Sequence, residues 1–417
     1  MDNKLKDNKP FPSEDVLREA IFNAQEPLLF KNILQDSEHK YIWKLLQWNV
    51  EELAEQFGDD KLPFRIGYNA KSNEPQWESQ SAIKEMTMTE FIELNKCSNV
   101  DIKWYYFDYK HMNEWLKDKP EILSSLNWHM FGLDKKGEDS TIWIGNKGAH
   151  TNCHQDSYGC NLVAQIHGRK QWLLFPPNSN NEIKPIRVPY EESTIYSSYN
   201  FFCPTEDEET VLINKIENPR SVTLEAGDAL LIPKGWWHYV ESLDLSVSVN
   251  VWLPLETDNQ ERLKEALVKL IITGIEKTFC SESEDRQCTV PYCMKLIEAT
   301  LDKCKYQYQN DTQEGLLKTN KKMKYSNERP TWKVQEITTE YMNYIKFIPI
   351  LKIDEFKALL MEKRCRFSSV INEVKQGHSD SILVNKNISK KVINALCHPN
   401  IINQIAETLL NVTDRNK

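Results

Sequence analysis

Residues 227–238 read Gly227-Asp228-Ala229-Leu230-Leu231-Ile232-Pro233-Lys234-Gly235-Trp236-Trp237-His238. Gly227-Asp228 is a turn pair. Ala229–Ile232 is a short apolar run bounded by turn formers, so it reads as a strand. Pro233 ends it, because proline brings no donor to a sheet ladder. A second strand opens on the Trp pair and delivers His238 inward. Outward from this stretch the same texture recurs. Thr141–Ile144, Asn161–Ile166, Lys170–Phe175, Ser221–Leu224 and Leu245–Trp252 are short apolar runs split by Gly, Pro and Asn. Many short strands in series, with no long helix between them, predict a sandwich or jelly roll.

Both flanks differ from this core. On the N-terminal side, residues 1–12 read as a flexible tail. Ser13 can cap a helix through about Ala24, with Glu14 and Asp15 in its first turn. Pro27–Phe30 and Phe64–Tyr68 are strand candidates, and Thr89–Leu94 reads as a helical turn. After the core, Arg262–Phe279 carries Leu263, Ala266, Leu267, Leu270 and Ile271 at helical spacing. The predicted architecture is mainly β with helical additions. An N-terminal α/β segment (1–100) packs on a jelly-roll core (101–256). A helix follows (257–280), then a polar linker (281–334) containing the Lys318–Lys324 stretch, which reads as solvated. A C-terminal α-helical region (335–417) ends in Val392–Leu410.

The 417 residues carry a net charge of −9. Thirteen Gly and eighteen Pro are too few for a collagen or a linker protein. Twelve Trp and sixteen Tyr are too many for a disordered chain. The acidic balance weighs against a general nucleic-acid binder. Eleven of the twelve tryptophans lie between Trp43 and Trp252, so the two halves differ in kind. The N-terminus has no apolar run, and no stretch near it approaches a membrane span. Ten scattered Cys without a CxxC pair predict reduced thiols and an intracellular protein, cytoplasmic with an additional nuclear location as the alternative. Cys280, Cys288, Cys293 and Cys304 cluster loosely, but their spacing does not match a zinc module.

The chemistry-bearing segment is Thr151-Asn152-Cys153-His154-Gln155-Asp156. On a strand, His154 and Asp156 point to one face. A lone HxD is usually a surface pair. Joined to the turn–strand–Trp-Trp-His segment inside a β region, it becomes a metal site, with His238 as third ligand. Two His and one carboxylate form the facial triad of non-haem iron(II) enzymes, which leaves coordination positions open for a bidentate keto acid and dioxygen. A keto acid also needs a cation for its remote carboxylate. Lys170 opens an otherwise apolar run in Lys170-Gln171-Trp172-Leu173-Leu174-Phe175. Burying it is costly unless it is paired, and a bound carboxylate would pair it. A lysine snorkelling to water is the bland alternative, and Arg169 is the competing cation.

The stretch from about Trp104 to Trp252 resembles a JmjC domain, the double-stranded β-helix of Fe(II)/2-oxoglutarate oxygenases. The matching pieces are HxD at His154/Asp156, residues 165–177 (QIHGRKQWLLFPP), residues 227–242 (GDALLIPKGWWHYVES) and residues 246–252 (SVSVNVW). Residues 143–162, residues 188–193 and the C-terminal Ala395–Leu410 resemble a branch associated with small heat shock proteins. The resemblance implies that His154, Asp156 and His238 bind Fe(II) and that Lys170 salt-bridges 2-oxoglutarate. It implies that Thr151 and Tyr106 reach the same cosubstrate, and that Asn161 and Asn250 line its pocket. His154 to Lys170 is one residue longer than in the asparaginyl hydroxylases of the family, so a bulge is expected between them. The implied activity is a hydroxylase acting on a protein substrate, with a small heat shock protein as possible partner and a homodimer as possible assembly. A non-catalytic adaptor for a small heat shock protein and a tRNA-modifying JmjC hydroxylase are the alternatives.

Overall fold

A computed structural model describes residues 11–35, 43–96, 102–275, 289–320, 333–370 and 380–414. The predicted tail over 1–10, Cys280 and Cys288, most of the Lys318–Lys324 stretch, and Trp332 lie outside the described residues. The strands are β1 (Leu28–Phe30), β2 (Leu62–Tyr68), β3 (Ala82–Met86), β4 (Lys103–His111), β5 (Thr141–Gly145), β6 (His150–Asp156), β7 (Cys160–His167) and β8 (Lys170–Phe175). They continue with β9 (Pro185–Ile186), β10 (Thr194–Ser197), β11 (Arg220–Leu224), β12 (Ala229–Ile232), β13 (Trp237–Ser242), β14 (Ser246–Leu253) and β15 (Ile345–Phe347). They form two antiparallel sheets. One has the order β15-β1-β12-β7-β14-β5-β4-β2-β3, the other β11-β8-β13-β6-β10-β9. This is the jelly roll that the short apolar runs predict.

Alternation explains what fills each side. On β14, Val247, Val249, Val251 and Leu253 join the large core under the N-terminal helices. Ser248, Asn250 and Trp252 between them face a cavity inside the barrel. On β12, Leu231 faces that same large core, while Leu230 and Ile232 pack inside with Val163, Trp172, Leu174 and Val240. Two bulges interrupt the period. In the β13–β6 pair, Asn152 and Cys153 together stand opposite Tyr239 alone. In the β14–β7 pair, Ile166 is the extra residue between Gln165 and His167. That bulge lies within the His154–Lys170 span.

The N-terminal segment is continuous with the barrel sheet. β1 pairs with β12 and β2 pairs with β4, so the segment extends the sheet at both ends. Ser13 caps the helix Glu14–Asn23 as expected. The C-terminal side departs from expectation at three places. Within the span read as a polar linker stands the helix Val290–Asn320. Its Ile297 packs with Leu263, Leu267 and Ile272 of the helix Asp258–Ile275. Scattered apolar positions in a polar sequence hide a one-sided helix. β15 adds an edge strand from a region read as helical, and three residues are too few to show a period. The terminal helical pattern is two helices, Asp380–Leu396 and Pro399–Asp414, since Pro399 cannot continue the first. No helix among the described residues is long and apolar enough to cross a membrane. Cys153, Cys160, Cys203, Cys293, Cys304, Cys365 and Cys397 are all free thiols.

Candidate metal centre and cosubstrate pocket

The residues singled out by sequence meet in one cavity of about 400 Å³ at the barrel's open end. His154 and Asp156 come from β6, two residues apart on one face. His238 comes from the neighbouring strand and pairs in register with His154. Ligand atoms of His154, Asp156 and His238 all lie within 4.8 Å of one another. His154 Nε2 is 3.6 Å from Asp156 Oδ1, and His238 Nε2 is 3.9 Å from Asp156 Oδ2.

The hydrogen bonds fix which ring nitrogen is free. His154 Nδ1 lies 2.8 Å from the Asn152 carbonyl oxygen, and His238 Nδ1 lies 3.1 Å from the Trp236 carbonyl oxygen. A carbonyl only accepts, so both Nδ1 atoms carry the proton. In the neutral rings the Nε2 lone pairs then face Asp156, the arrangement a metal-binding histidine needs. Burial and the adjacent His154 push the His238 pKa down to about 4, which keeps it neutral. Asp156 is oriented in turn. Trp252 Nε1 donates to its Oδ2 at 3.1 Å and Asn161 Nδ2 to the same oxygen at 3.3 Å. Asn250 Nδ2 donates to Asn161 Oδ1 at 2.9 Å, and Trp143 Nε1 to Asn250 Oδ1 at 2.8 Å. The two asparagines thus form a relay behind the carboxylate as well as lining the pocket.

Deeper in the cavity lies Lys170, 1% exposed. Its Nζ donates to Ser248 Oγ at 2.8 Å and Tyr106 Oη at 3.2 Å. Both partners are neutral, and no carboxylate among the described residues lies within ion-pairing distance. Burial pushes its pKa down to about 7. A buried ammonium ringed by hydroxyls and lacking a counter-ion is a cradle for an anion. Thr151 lines the same end. Strict alternation would turn Thr151 away from His154, and the Asn152–Cys153 bulge turns it back. Arg169 points outward and pairs with Asp244 at 2.8 Å on the surface, which leaves Lys170 as the inward cation.

Several lining residues escape a motif-led reading. Ser248 was legible, since it precedes Asn250 and Trp252 by the strand period on one face of β14. Tyr109 was not legible. It sits at φ 54° in the β4–β5 register shift, and that kink sets its ring against Trp143 and Trp252 at the cavity mouth. Glu191 and Tyr196, hydrogen-bonded to each other, complete the opposite wall.

Comparison with known proteins points the same way. A family described as a cupin-like domain matches residues 13–259. HSPB1-associated protein 1 of Homo sapiens is 37% identical over 281 residues, covering 64% of this chain and 56% of that protein. HSPB1-associated protein 1 homolog of Danio rerio is 33% identical over 333 residues, covering 77% and 67%. Lysine-specific demethylase JMJ31 of Arabidopsis thaliana is 33% identical over 121 residues, covering 29% and 22%. The chain therefore spans little more than half the length of its human relative.

Proposed function

Because the chain belongs to the cupin-like (JmjC) domain family, we propose that it is an Fe(II)- and 2-oxoglutarate-dependent hydroxylase acting on a protein substrate. Members of this family include 2-oxoglutarate/Fe(II) oxygenases. The observation that carries the reading is the pairing of two features in one cavity: three convergent ligand atoms, and a buried lysine without a counter-ion. In this reading His154, Asp156 and His238 hold the metal. Lys170, Ser248, Tyr106 and Thr151 receive the far carboxylate of 2-oxoglutarate. When bound, the metal and cosubstrate supply the oxidant that hydroxylates a C–H bond.

The chain's own residues bind, orient and exclude water. Trp252 and Asn161 fix the rotation of Asp156. Trp143, Tyr109 and Trp252 wall the approach and keep water from the reacting centre. The names of the mammalian and fish relatives link those proteins to HSPB1, and we extend that link to a small heat shock protein as partner or substrate of this chain. Binding such a partner and hydroxylating it are compatible.

The test is succinate formation from 2-oxoglutarate by the full chain with Fe(II), with and without a small heat shock protein. Wild type should form succinate and His154→Ala should not. Equal metal binding and equal turnover in the two proteins would overturn the oxygenase reading.

A further inference from the structure

The helices that follow the barrel reach back to the turn after Asp156. The turn after Asp156 is gripped at two residues by one helix, Asp258–Ile275. Ser157 Oγ donates to Glu265 Oε1 at 3.0 Å, and Gly159 N donates to Asp258 Oδ1 at 3.0 Å. Glu265 also receives Ser193 N at 3.1 Å. Ser193 precedes β10, whose Thr194 pairs with Asp156. One buried carboxylate therefore ties the end of β6 to the start of β10.

Glu265 is itself held. Arg187 donates to it through both terminal nitrogens, at 2.8 and 2.5 Å, and the two side chains are 2% and 6% exposed. The backbone of Arg187 is fixed from further away. Asn394 Oδ1, on the helix Asp380–Leu396, accepts from Arg187 N at 2.9 Å and Val188 N at 3.1 Å. Ile393 and Cys397 of that region pack with Leu263, Ala266 and Val188. The chain of contacts runs from Asn394 through Arg187 and Glu265 to Ser157, next to Asp156. A two-point ion pair with every oxygen occupied is rigid, and metal sites depend on such outer support.

We infer that the helical region after residue 259 is a clamp that positions Asp156 and the mouth loop 187–193, with Glu265 and Asn394 as positioning residues. This rests on the reading of Asp156 as a metal ligand. A two-strand metal site needs its carboxylate at a fixed distance, and Asp156 stands at a strand end, where fraying would otherwise move it.

The test uses the full chain and Mn(II) alone as probe, followed by calorimetry. Ser157→Ala and Asn394→Ala are chosen because they leave the Arg187–Glu265 pair intact. Each should weaken Mn(II) binding by about tenfold. Lys264→Ala, which breaks only a pair with Glu261 on the same helix, should leave it unchanged. Amide hydrogen exchange separates the clamp from the metal reading. In Asn394→Ala, residues 156–160 and 187–194 should exchange faster, while residues 161–167 of β7 should not change. Wild-type Mn(II) affinity in both variants, with wild-type exchange at 156–160, overturns the clamp and leaves the metal reading standing. If wild type binds no Mn(II) but Asn394→Ala still speeds exchange at 156–160, the metal reading falls and the clamp stands.

Discussion

Lys170 offers the sharpest test, because its burial has a calculable cost in the absence of ligand. Its ammonium titrates at 10.5 in an open chain and at about 7 in the fold. The folded value is depressed, so between about pH 7 and pH 10.5 the unfolded chain binds a proton that the folded chain does not. Stability of the wild type therefore rises with pH across that window. Below pH 7 both states are protonated and the full penalty applies, about 5 kcal/mol. At pH 9 the unfolded chain is only partly favoured, and the penalty shrinks to about 2 kcal/mol. Lys170→Met keeps most of the volume and removes this term. It also leaves Ser248 and Tyr106 without the Nζ donor, a cost of about 1 kcal/mol each that does not vary with pH. The ligand-free variant should be more stable than wild type by about 3 kcal/mol at pH 6, and the advantage should vanish near pH 9. The assay is urea unfolding of metal-free protein at pH 6, 7.5 and 9, followed by tryptophan fluorescence. A stability difference that does not change with pH, or a variant less stable than wild type at pH 6, would refute the reasoning. The same variant should lose 2-oxoglutarate binding, which is the reason to retain a destabilising residue.

Three further outcomes follow from named contacts. Binding of 2-oxoglutarate to the metal-loaded protein restores a partner to Lys170, so at pH 8 it should take up close to one proton, read as a buffer-dependent binding enthalpy. Trp252→Phe removes the indole donor to Asp156 and should weaken Mn(II) binding by about tenfold with little change in fold, while Asp156→Ala should abolish it. Glu241 is buried on β13 and accepts from Lys363 Nζ at 2.7 Å and from Arg366, which holds its pKa down at about 2. Glu241→Gln should cost about 3 kcal/mol by leaving those cations unpaired, and the wild-type contribution should persist above about pH 4.5 and fade as pH falls toward 2, measured by acid and urea unfolding.

The legible part of this protein is the part with a period. Every barrel strand named from its apolar run is a strand, because a short apolar run bounded by turn formers stays visible in the sequence whatever packs against it. The candidate metal centre was legible from the two-residue strand period: HxD on a strand puts both side chains on one face, and the Trp-Trp-His end of β13 pairs in register with it. What stayed hidden depends on breaks in the period. The Asn152–Cys153 bulge carries no residue signature, yet it alone brings Thr151 to the face of His154. The kink that turns Tyr109 to the mouth carries none either. The clamp was invisible for a different reason. Glu265 and Asn394 look like ordinary polar positions on amphipathic helices, and only the fold shows that one is a buried and the other a half-buried acceptor for backbone at residues 187, 188 and 193. A charge on a helix that must meet a strand more than seventy residues away leaves no local trace. That places the unread chemistry of this chain in its helical half, where tryptophan is scarce and the polar contacts converge on the site from outside the barrel.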